Sequence, residues 1–120
     1  LMASLASAAL PRLPEFQPRD LSNTAWALAM LGIRDWPLLT AISSAAIPIL
    51  PDFDMQALCN IVWAFASLAL QDLPLLDSIS ASALARIAEF EPQHLSITAW
   101  SLAALAYTDR PLLDAISAAS

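Results

Sequence analysis

Histidine and cysteine, two residue types that often carry acid–base or nucleophilic chemistry, occur once each in this sequence. His94 is the single histidine, at a predicted helix start, and Cys59 is the single cysteine. Neither has an evident catalytic partner, although an enzymatic nucleophile needs a base in reach and a metal needs clustered ligands. With one glycine, a glycine-rich phosphate loop is also excluded. The sequence therefore favours a binding module over an enzyme, with no cofactor, metal or small-molecule substrate.

A repeat of 37 residues organises the chain. Trp26, Trp63 and Trp100 are each 37 residues apart. Leucine, aspartate and proline residues recur at the same interval: Leu21, Leu58 and Leu95; Asp35, Asp72 and Asp109; Pro37, Pro74 and Pro111. So many coincidences at one spacing indicate stacked supersecondary units that share a continuous core.

The first half of each unit reads as a helix, which we call helix A. In the first unit it is predicted from about Pro18 to Ile33, because proline suits the first helical position. The N-cap positions of successive A helices are then Gln17, Asp54 and Glu91. Aspartate is a good N-cap residue, whereas glutamine and glutamate are poorer ones.

The second half of each unit reads as an antiparallel helix, called helix B. In the first unit it starts near Pro37, with Asp35 at or just outside the cap, and ends near Leu50. Pro48 lies late in this helix and should bend or shorten it. Ala85 occupies the same place in the next unit, where the helix should be straighter.

These patterns predict an all-α fold, an α–α superhelix of about three helix-turn-helix repeats. A single glycine disfavours sheets, whose tight turns need positive φ angles. We expect the chain to be one helical array and a segment of a longer one. It divides into helix B of a preceding repeat (1–15), two full repeats (16–52 and 53–89) and an incomplete last repeat (90–120).

The charge balance limits the classes of partner. The formal net charge is −6, the pI is about 4.3, and lysine is absent. This disfavours nonspecific binding of nucleic acids and attraction to anionic membranes, both of which need clustered basic residues. The uncharged run from Met55 to Gln71 is at the short end for a membrane span, and a buried array helix explains it better. A single cysteine permits a reducing intracellular compartment.

One stripe of helix A varies between copies. Asp20, Asn23, Ala27, Met30 and Arg34 follow helical spacings of three and four, and the stripe changes in polarity from unit to unit. A module that reads one ligand element per repeat would vary in this way. Exposed positions of a solenoid also drift without any ligand, and the residues by themselves favour this simpler interpretation.

The repeated tryptophans and leucines are expected to form the structural core of the repeats. This set comprises Trp26, Trp63, Trp100, Leu21, Leu58 and Leu95. Large apolar residues in register are most simply explained by packing between stacked units. The alternative for the tryptophans is an exposed platform on which nucleobases stack.

The motifs "PRDLSNTAWALAMLG" (18–32) and "PLLTAISSAAIPIL" (37–50) resemble octotricopeptide-type repeats of algal and protist organelle proteins. Similar arrays occur with FAST-kinase-like and RAP domains and in a repeat subunit of an RNA-editing substrate-binding complex. The resemblance covers essentially the whole chain. It implies an array that binds organellar RNA, for its processing, stability or translation, in a chloroplast or mitochondrion.

On this resemblance, single-stranded RNA is the expected partner, and its bases would lie along helix A. The candidate RNA-binding residues are Arg19, Asp20, Asn23, Arg34, Gln56, Asn60, Gln71, Gln93 and His94. Amide and guanidinium groups can pair with base edges, and arginine can also stack. The alternative is a scaffold for protein–protein interaction, whose acidic charge would favour basic partners.

Overall fold

The computed structural model describes residues 15–105 and 110–119, and within these ranges every regular element is helical. The α-helices are α1 (Pro18–Met30), α2 (Trp36–Ala46), α3 (Met55–Ser67), α4 (Leu73–Ala85), α5 (Pro92–Ala104) and α6 (Arg110–Ala119). Two 3₁₀-helices, Ile47–Asp52 and Ile87–Glu89, follow α2 and α4. The predicted all-α helical-repeat fold is confirmed. The helix B predicted at 1–15 lies almost wholly outside the described residues.

The A helices α1, α3 and α5 begin at the predicted caps, which are Gln17, Asp54 and Glu91. The Asp54 carboxylate accepts a hydrogen bond from the backbone N–H of Ala57 at 2.8 Å. At Gln17 the bond runs the other way, because its backbone N–H donates to the Asp20 carboxylate at 2.9 Å. Each bond occupies a backbone donor that the helix itself cannot pair.

The B helices α2 and α4 are capped by the repeated aspartates. Asp35 and Asp72 each accept a hydrogen bond at 3.1 Å, from the backbone N–H of Leu38 and Leu75 respectively. A proline late in the B half of the repeat determines how long the α-helix is. With Pro48 the α-helical part of α2 stops at Ala46, after 11 residues, and a 3₁₀-helix follows. The helix α4 has Ala85 at the equivalent position and runs for 13 residues, whereas its expected straightness stays a prediction.

The connections between helices A and B turn through a left-handed residue. Gly32 has φ +68°, and its counterpart one repeat later, Ala69, has φ +56°. In the first turn the Ile33 N–H donates to the Leu28 carbonyl at 2.8 Å, which closes a Schellman-type helix end. A positive φ angle favours glycine, yet Ala69 adopts this conformation with an alanine side chain.

The helices form two layers. The A helices pack side by side in the order α1, α3, α5, and the B helices pack in the order α2, α4, α6. Leu21, Leu58 and Leu95 of the A helices are buried in the core. Phe53 and Phe65 are among its largest fully buried side chains. Among the described residues, no helix has the length and apolar character needed to cross a membrane.

Candidate functional site

One side of the A layer remains accessible along its whole length. In α3 the residues on this side are Gln56, Asn60, Trp63 and Ser67, at steps of four, three and four residues. These four are exposed or half-buried, and every other residue of α3 is buried. The spacing places them on one stripe of the helix, directed away from its packing partners.

The equivalent residues of α1 and α5, 37 positions before and after those of α3, form the same stripe on their helices. We call the surface made by all three stripes the outer face. It consists of Arg19, Asn23, Trp26 and Met30 on α1; Gln56, Asn60, Trp63 and Ser67 on α3; and Gln93, Ile97, Trp100 and Ala104 on α5. Each is exposed or half-buried. The repeat therefore arranges arginine or glutamine, then asparagine or isoleucine, then tryptophan, in rows across the layer.

The variable stripe predicted from the sequence, extended to α3 and α5 by the 37-residue repeat, shares two positions per helix with the outer face and also contains buried positions. Its members Ala57 and Ala64 on α3, and His94 on α5, are buried. The reason is that this side of each A helix packs on the preceding A helix. The Cys59 thiol of α3 lies 3.6 Å from the His94 carbonyl and 3.6 Å from the Thr98 hydroxyl of α5. On α1 the stripe is exposed, since no described A helix packs against it.

The prediction that the repeated tryptophans are core residues is wrong for Trp26 and Trp100. Trp26 is 43% exposed and Trp100 is 54% exposed, while Trp63 is half-buried. The fully buried positions next to two of the tryptophans are held by alanines, Ala25 and Ala64. Each of these two tryptophans follows or precedes its alanine by one residue, which turns its side chain about 100° away.

Polar side chains at the beginning of α1 and α3 enclose an open groove of about 520 Å³. Four of the candidate residues from the sequence line it together: Arg19, Asn23, Gln56 and Asn60. The remaining lining residues are Gln17, Pro18, Ser22, Asp52, Asp54 and Ala57. The structure thus brings together the outer-face residues of two consecutive repeats in one polar concavity.

The groove offers hydrogen-bond donors and acceptors on fixed helices. The Gln56 side-chain amide donates to the Asn60 side-chain carbonyl at 3.0 Å, which orders both amides. The Gln56 carbonyl and the Asn60 amide can still serve a ligand, since each amide has both a donor and an acceptor group. Arg19 adds a guanidinium, whereas Asp52 and Asp54 add carboxylates. Such a mixed lining suits a ligand with polar edges better than a simple anion.

Three other candidate residues have structural partners in the described chain. The Asp20 carboxylate is engaged at the start of α1, as described above. The Gln71 amide donates to the Leu105 carbonyl at 2.6 Å and so links two repeats. His94 is only 8% exposed, and its Nδ1 accepts a hydrogen bond from the Glu91 N–H at 3.2 Å. Burial and these bonds leave His94 poorly placed to contact RNA, which corrects that prediction.

The last two candidate residues are exposed but lie outside the groove. The Arg34 guanidinium carbon lies 5.7 Å from the centre of the Trp36 ring, in the connection before α2. Gln93 belongs to the outer face on α5. The candidate set therefore divides into five outer-face residues and four residues elsewhere.

The groove lining at Gln17, Ser22 and Asp52 was not predicted from the sequence, and exposure of the tryptophans was expected only as the alternative to core packing. A signal for the first group was present, because Gln17 and Asp54 are equivalent cap positions, and Asp52 lies two residues before the second cap. Residues that flank a cap lie at one end of a helix layer. For the tryptophans, no pattern in the sequence distinguished packing from exposure.

Cys59 has the character of a packed thiol. Burial raises its pKa, and the hydrogen-bond contact with Thr98 offsets this only in part. A thiol with a raised pKa is a weak nucleophile at neutral pH. In the described part of the chain, no three side chains of His, Cys, Asp and Glu form a group that could hold a metal ion.

The comparison with known families gives one match. The family described as RNA-editing substrate-binding complex 6 protein matches residues 1–110. This agrees with one part of the resemblance seen in the sequence, whereas the octotricopeptide and FAST-kinase-like parts stay predictions. The comparison with curated proteins found no match. Because the matched region spans most of the chain, the protein belongs to the RNA-editing substrate-binding complex 6 family.

Proposed function

We propose that this protein is an RNA-binding module of an RNA-editing assembly and that single-stranded RNA lies along the outer face. The family description, which names a complex that binds RNA-editing substrates, supports the RNA part of this proposal. The array acts as a binder and not as an enzyme. Its compartment would be a mitochondrion or chloroplast, as the resemblance to octotricopeptide-type and FAST-kinase-like arrays implies.

The observation that carries the proposal is the polar groove shared by consecutive repeats. Arg19 and Gln56 are equivalent residues of neighbouring helices, and so are Asn23 and Asn60. Helical-repeat RNA readers contact one base per repeat with two or three side chains. Here the first two repeats each present one long polar residue and, one helical turn later, one asparagine, whereas the third has Gln93 and Ile97 at these positions. In the first two repeats, this arrangement provides two side chains for the edge of a base.

The negative net charge shapes how such binding would work. Of the twelve described residues of the outer face, Arg19 is the one cation, and Asp52 and Asp54 lie close by in the groove. Phosphate contacts are therefore few, and base contacts supply most of the affinity. For single strands, the logarithm of the affinity falls with the logarithm of salt at about −0.7 per phosphate neutralised. We expect a slope close to one such unit.

The test is selection from a random pool of single-stranded RNA with the protein, followed by binding measurements on the enriched sequence. Replacing both Asn23→Ala and Asn60→Ala should change the enriched motif, because two base-reading amides are lost. Thr40→Ala with Ser44→Ala is the matched control, since both residues are exposed on α2. An unchanged motif in the asparagine variant would reject the assignment of these residues.

A protein-binding scaffold is the second candidate. Exposed apolar side chains near the end of α1 favour it, with Leu31 69% exposed and Met30 58% exposed. The net charge of −6 would select a basic partner. If a folded, monomeric sample enriches no RNA motif, while Leu31→Ser weakens binding of a basic partner protein, the scaffold becomes the better assignment.

A further inference from the structure

We infer that the outer-face tryptophans form a stacking platform for the bases of single-stranded RNA. This inference rests on the proposed function and adds the contact that would hold the RNA. The three residues, Trp26, Trp63 and Trp100, come from equivalent positions of successive A helices. Trp26 and Trp63 follow the groove residues Asn23 and Asn60 by one helical turn, Trp100 lies on α5, and none of the three lines the groove.

The packing of the described chain leaves these rings partly uncovered. Tryptophan is the largest side chain, and burying it is a major source of stability in cores. Even so, about half of Trp100 and 43% of Trp26 remain accessible. The rings of Trp26 and Trp63 contact each other, with centroids 6.5 Å apart and planes tilted by 33°. Consecutive repeats thus contribute adjoining aromatic surface that is partly open to a ligand.

The register between tryptophans and amides points to nucleobases as the occupant. Asn23 precedes Trp26 by three residues, and Asn60 precedes Trp63 by three. Residues at this spacing are neighbours on a helix, with Cβ atoms about 5–6 Å apart. A flat ligand that stacks on an indole would therefore bring its edge to an amide of the same helix. Nucleobases combine a π face with donors and acceptors at the edge.

A cationic peptide is a weaker match for the same surface. Arginine or lysine side chains could lie over the indoles, but they would need carboxylates to pair with. None of the twelve outer-face residues is an aspartate or a glutamate, and the carboxylates of Asp20 and Asp54 accept hydrogen bonds from backbone N–H groups at the helix starts. The amides of Gln56 and Asn60 carry no charge. The observations therefore favour RNA.

Trp36 provides a matched control. It is 54% exposed, the same fraction as Trp100, but it lies at the beginning of α2 beside Arg34 and outside the outer face. Both residues can be replaced by leucine, which keeps apolar bulk and removes the π face. Phenylalanine at the same positions keeps an aromatic ring. Comparison of the leucine and phenylalanine variants separates stacking from general hydrophobic contact.

The experiment measures binding of fluorescently labelled oligoadenylate and oligouridylate by anisotropy, together with quenching of tryptophan fluorescence. Loss of one base–aromatic stack corresponds to about 1–3 kcal/mol, which is roughly a 5- to 150-fold rise in Kd. We expect Trp100→Leu and Trp26→Leu to fall in this range, Trp100→Phe to retain most of the affinity, and Trp36→Leu to bind as the unmodified protein does. Purines stack more strongly, so the losses should be larger for oligoadenylate.

The possible results distinguish failure of the stacking platform from failure of RNA binding. If the leucine variants are folded by circular dichroism and bind both oligonucleotides with unchanged Kd, the stacking platform is rejected while RNA binding stands. If the unmodified protein binds neither oligonucleotide, the proposed function fails as well. Binding of oligoarginine that is lost in Trp100→Leu, without RNA binding, would reassign the platform to a cationic peptide. If a leucine variant does not fold, stacking is judged from the Kd of its phenylalanine counterpart and from fluorescence quenching in the unmodified protein. Absence of tryptophan quenching at saturating RNA rejects the stacking platform.

Discussion

The indole rings of Trp26 and Trp63 contact each other across two consecutive repeats, at 6.5 Å between centroids. The two residues are 37 positions apart in the chain, so this contact belongs to the interface between units. Trp63 is half-buried and Trp26 is 43% exposed, so the pair lies on the outer face and is partly covered by the packed helix layer. The pair should therefore couple the stability of one repeat to that of the next.

A double-mutant cycle tests this coupling. Aromatic pairs contribute about 0.5–1.5 kcal/mol beyond the area that they bury. We expect the effects of Trp26→Leu and Trp63→Leu on the free energy of unfolding to be non-additive by about this amount. Urea unfolding followed by circular dichroism gives the free energies. The pair Trp36→Leu and Trp63→Leu is the control and should be additive. Additivity in both cycles would show that the ring contact contributes nothing.

The periodicity of the sequence was sufficient to predict the helices, their caps and four of the ten residues that line the groove. The cap at Asp54 and the shortening of α2 near Pro48 follow from local chemistry that acts within one turn, so sequence is enough to locate them. Arg19 and Asn23 were candidates because polar residues on an apolar helix stand out. Local rules of this kind do not depend on which neighbour each helix face meets.

The rotation of each A helix about its axis could not be predicted in the same way. Alanine positions such as Ala27, which is exposed, and Ala64, which is buried, have the same hydrophobicity. A helix rich in alanine therefore has little contrast between its faces, and the predicted stripe was turned relative to the real outer face. Trp100 was expected in the core for its size, whereas it is 54% exposed. These features depend on contacts between repeats.

The left-handed turn between helices A and B predicts a pair of opposite mutational effects. Gly32 and Ala69 occupy equivalent positions with φ +68° and +56°. An alanine in this conformation costs roughly 1–2 kcal/mol, whereas glycine adopts it freely. A Cβ added at Gly32 would meet no atom within 4 Å, so its cost comes from the backbone. We expect Gly32→Ala to destabilise the protein and Ala69→Gly to stabilise it, each by about 1 kcal/mol.

Urea unfolding measures both substitutions, and Ala27→Gly is the matched control. Ala27 is exposed inside α1, where glycine should cost about 0.5–1 kcal/mol relative to alanine. The same change, alanine to glycine, should therefore have opposite signs at Ala27 and Ala69. Destabilisation at both positions would contradict the left-handed conformation of Ala69.

Arg86 joins the end of α4 to the segment before α3. Its Nη1 donates to the Phe53 carbonyl at 2.5 Å and to the Pro51 carbonyl at 3.4 Å. Its Nε donates to the exposed Glu89 carboxylate at 3.3 Å. Hydrogen bonds to charged groups contribute about 1.5–3 kcal/mol, whereas exposed ion pairs contribute about 0–1 kcal/mol. The hydrogen bond from Arg86 to the Phe53 carbonyl should therefore contribute more to stability than the ion pair with Glu89 does.

We expect Arg86→Met to lower the free energy of unfolding by about 1.5–3 kcal/mol, because a partly buried carbonyl loses its donor. Glu89→Gln should change it by less than about 0.5 kcal/mol and serves as the control, since it removes the ion pair and keeps the arginine. Thermal and urea unfolding of both variants provide the measurement. Equal losses in the two variants would show that the ion pair, and not the backbone contact, holds this junction.

Cys59 should make stability depend on pH in the alkaline range. Burial raises the pKa of the thiol above its ordinary value of 9.0, so the unfolded chain loses the proton at lower pH than the folded chain does. The contribution of the neutral thiol to the free energy of unfolding is fully present below pH 9. It is lost as pH rises through the pKa of the thiol in the folded state. Lysine is absent from the sequence, and therefore few other groups titrate in this range.

The measurement compares urea unfolding of the protein and of Cys59→Ala between pH 7 and pH 10. The difference between the two free energies of unfolding should shrink as pH rises above about 9, because only the unmodified protein carries the thiol. Subtracting the variant removes contributions from the terminus and from Tyr107, which both proteins share. Reaction with a thiol reagent gives an independent check, and it should be slow in the folded protein and fast in urea. A difference that grows with pH would mean that the folded state favours the thiolate, opposite to the effect of burial.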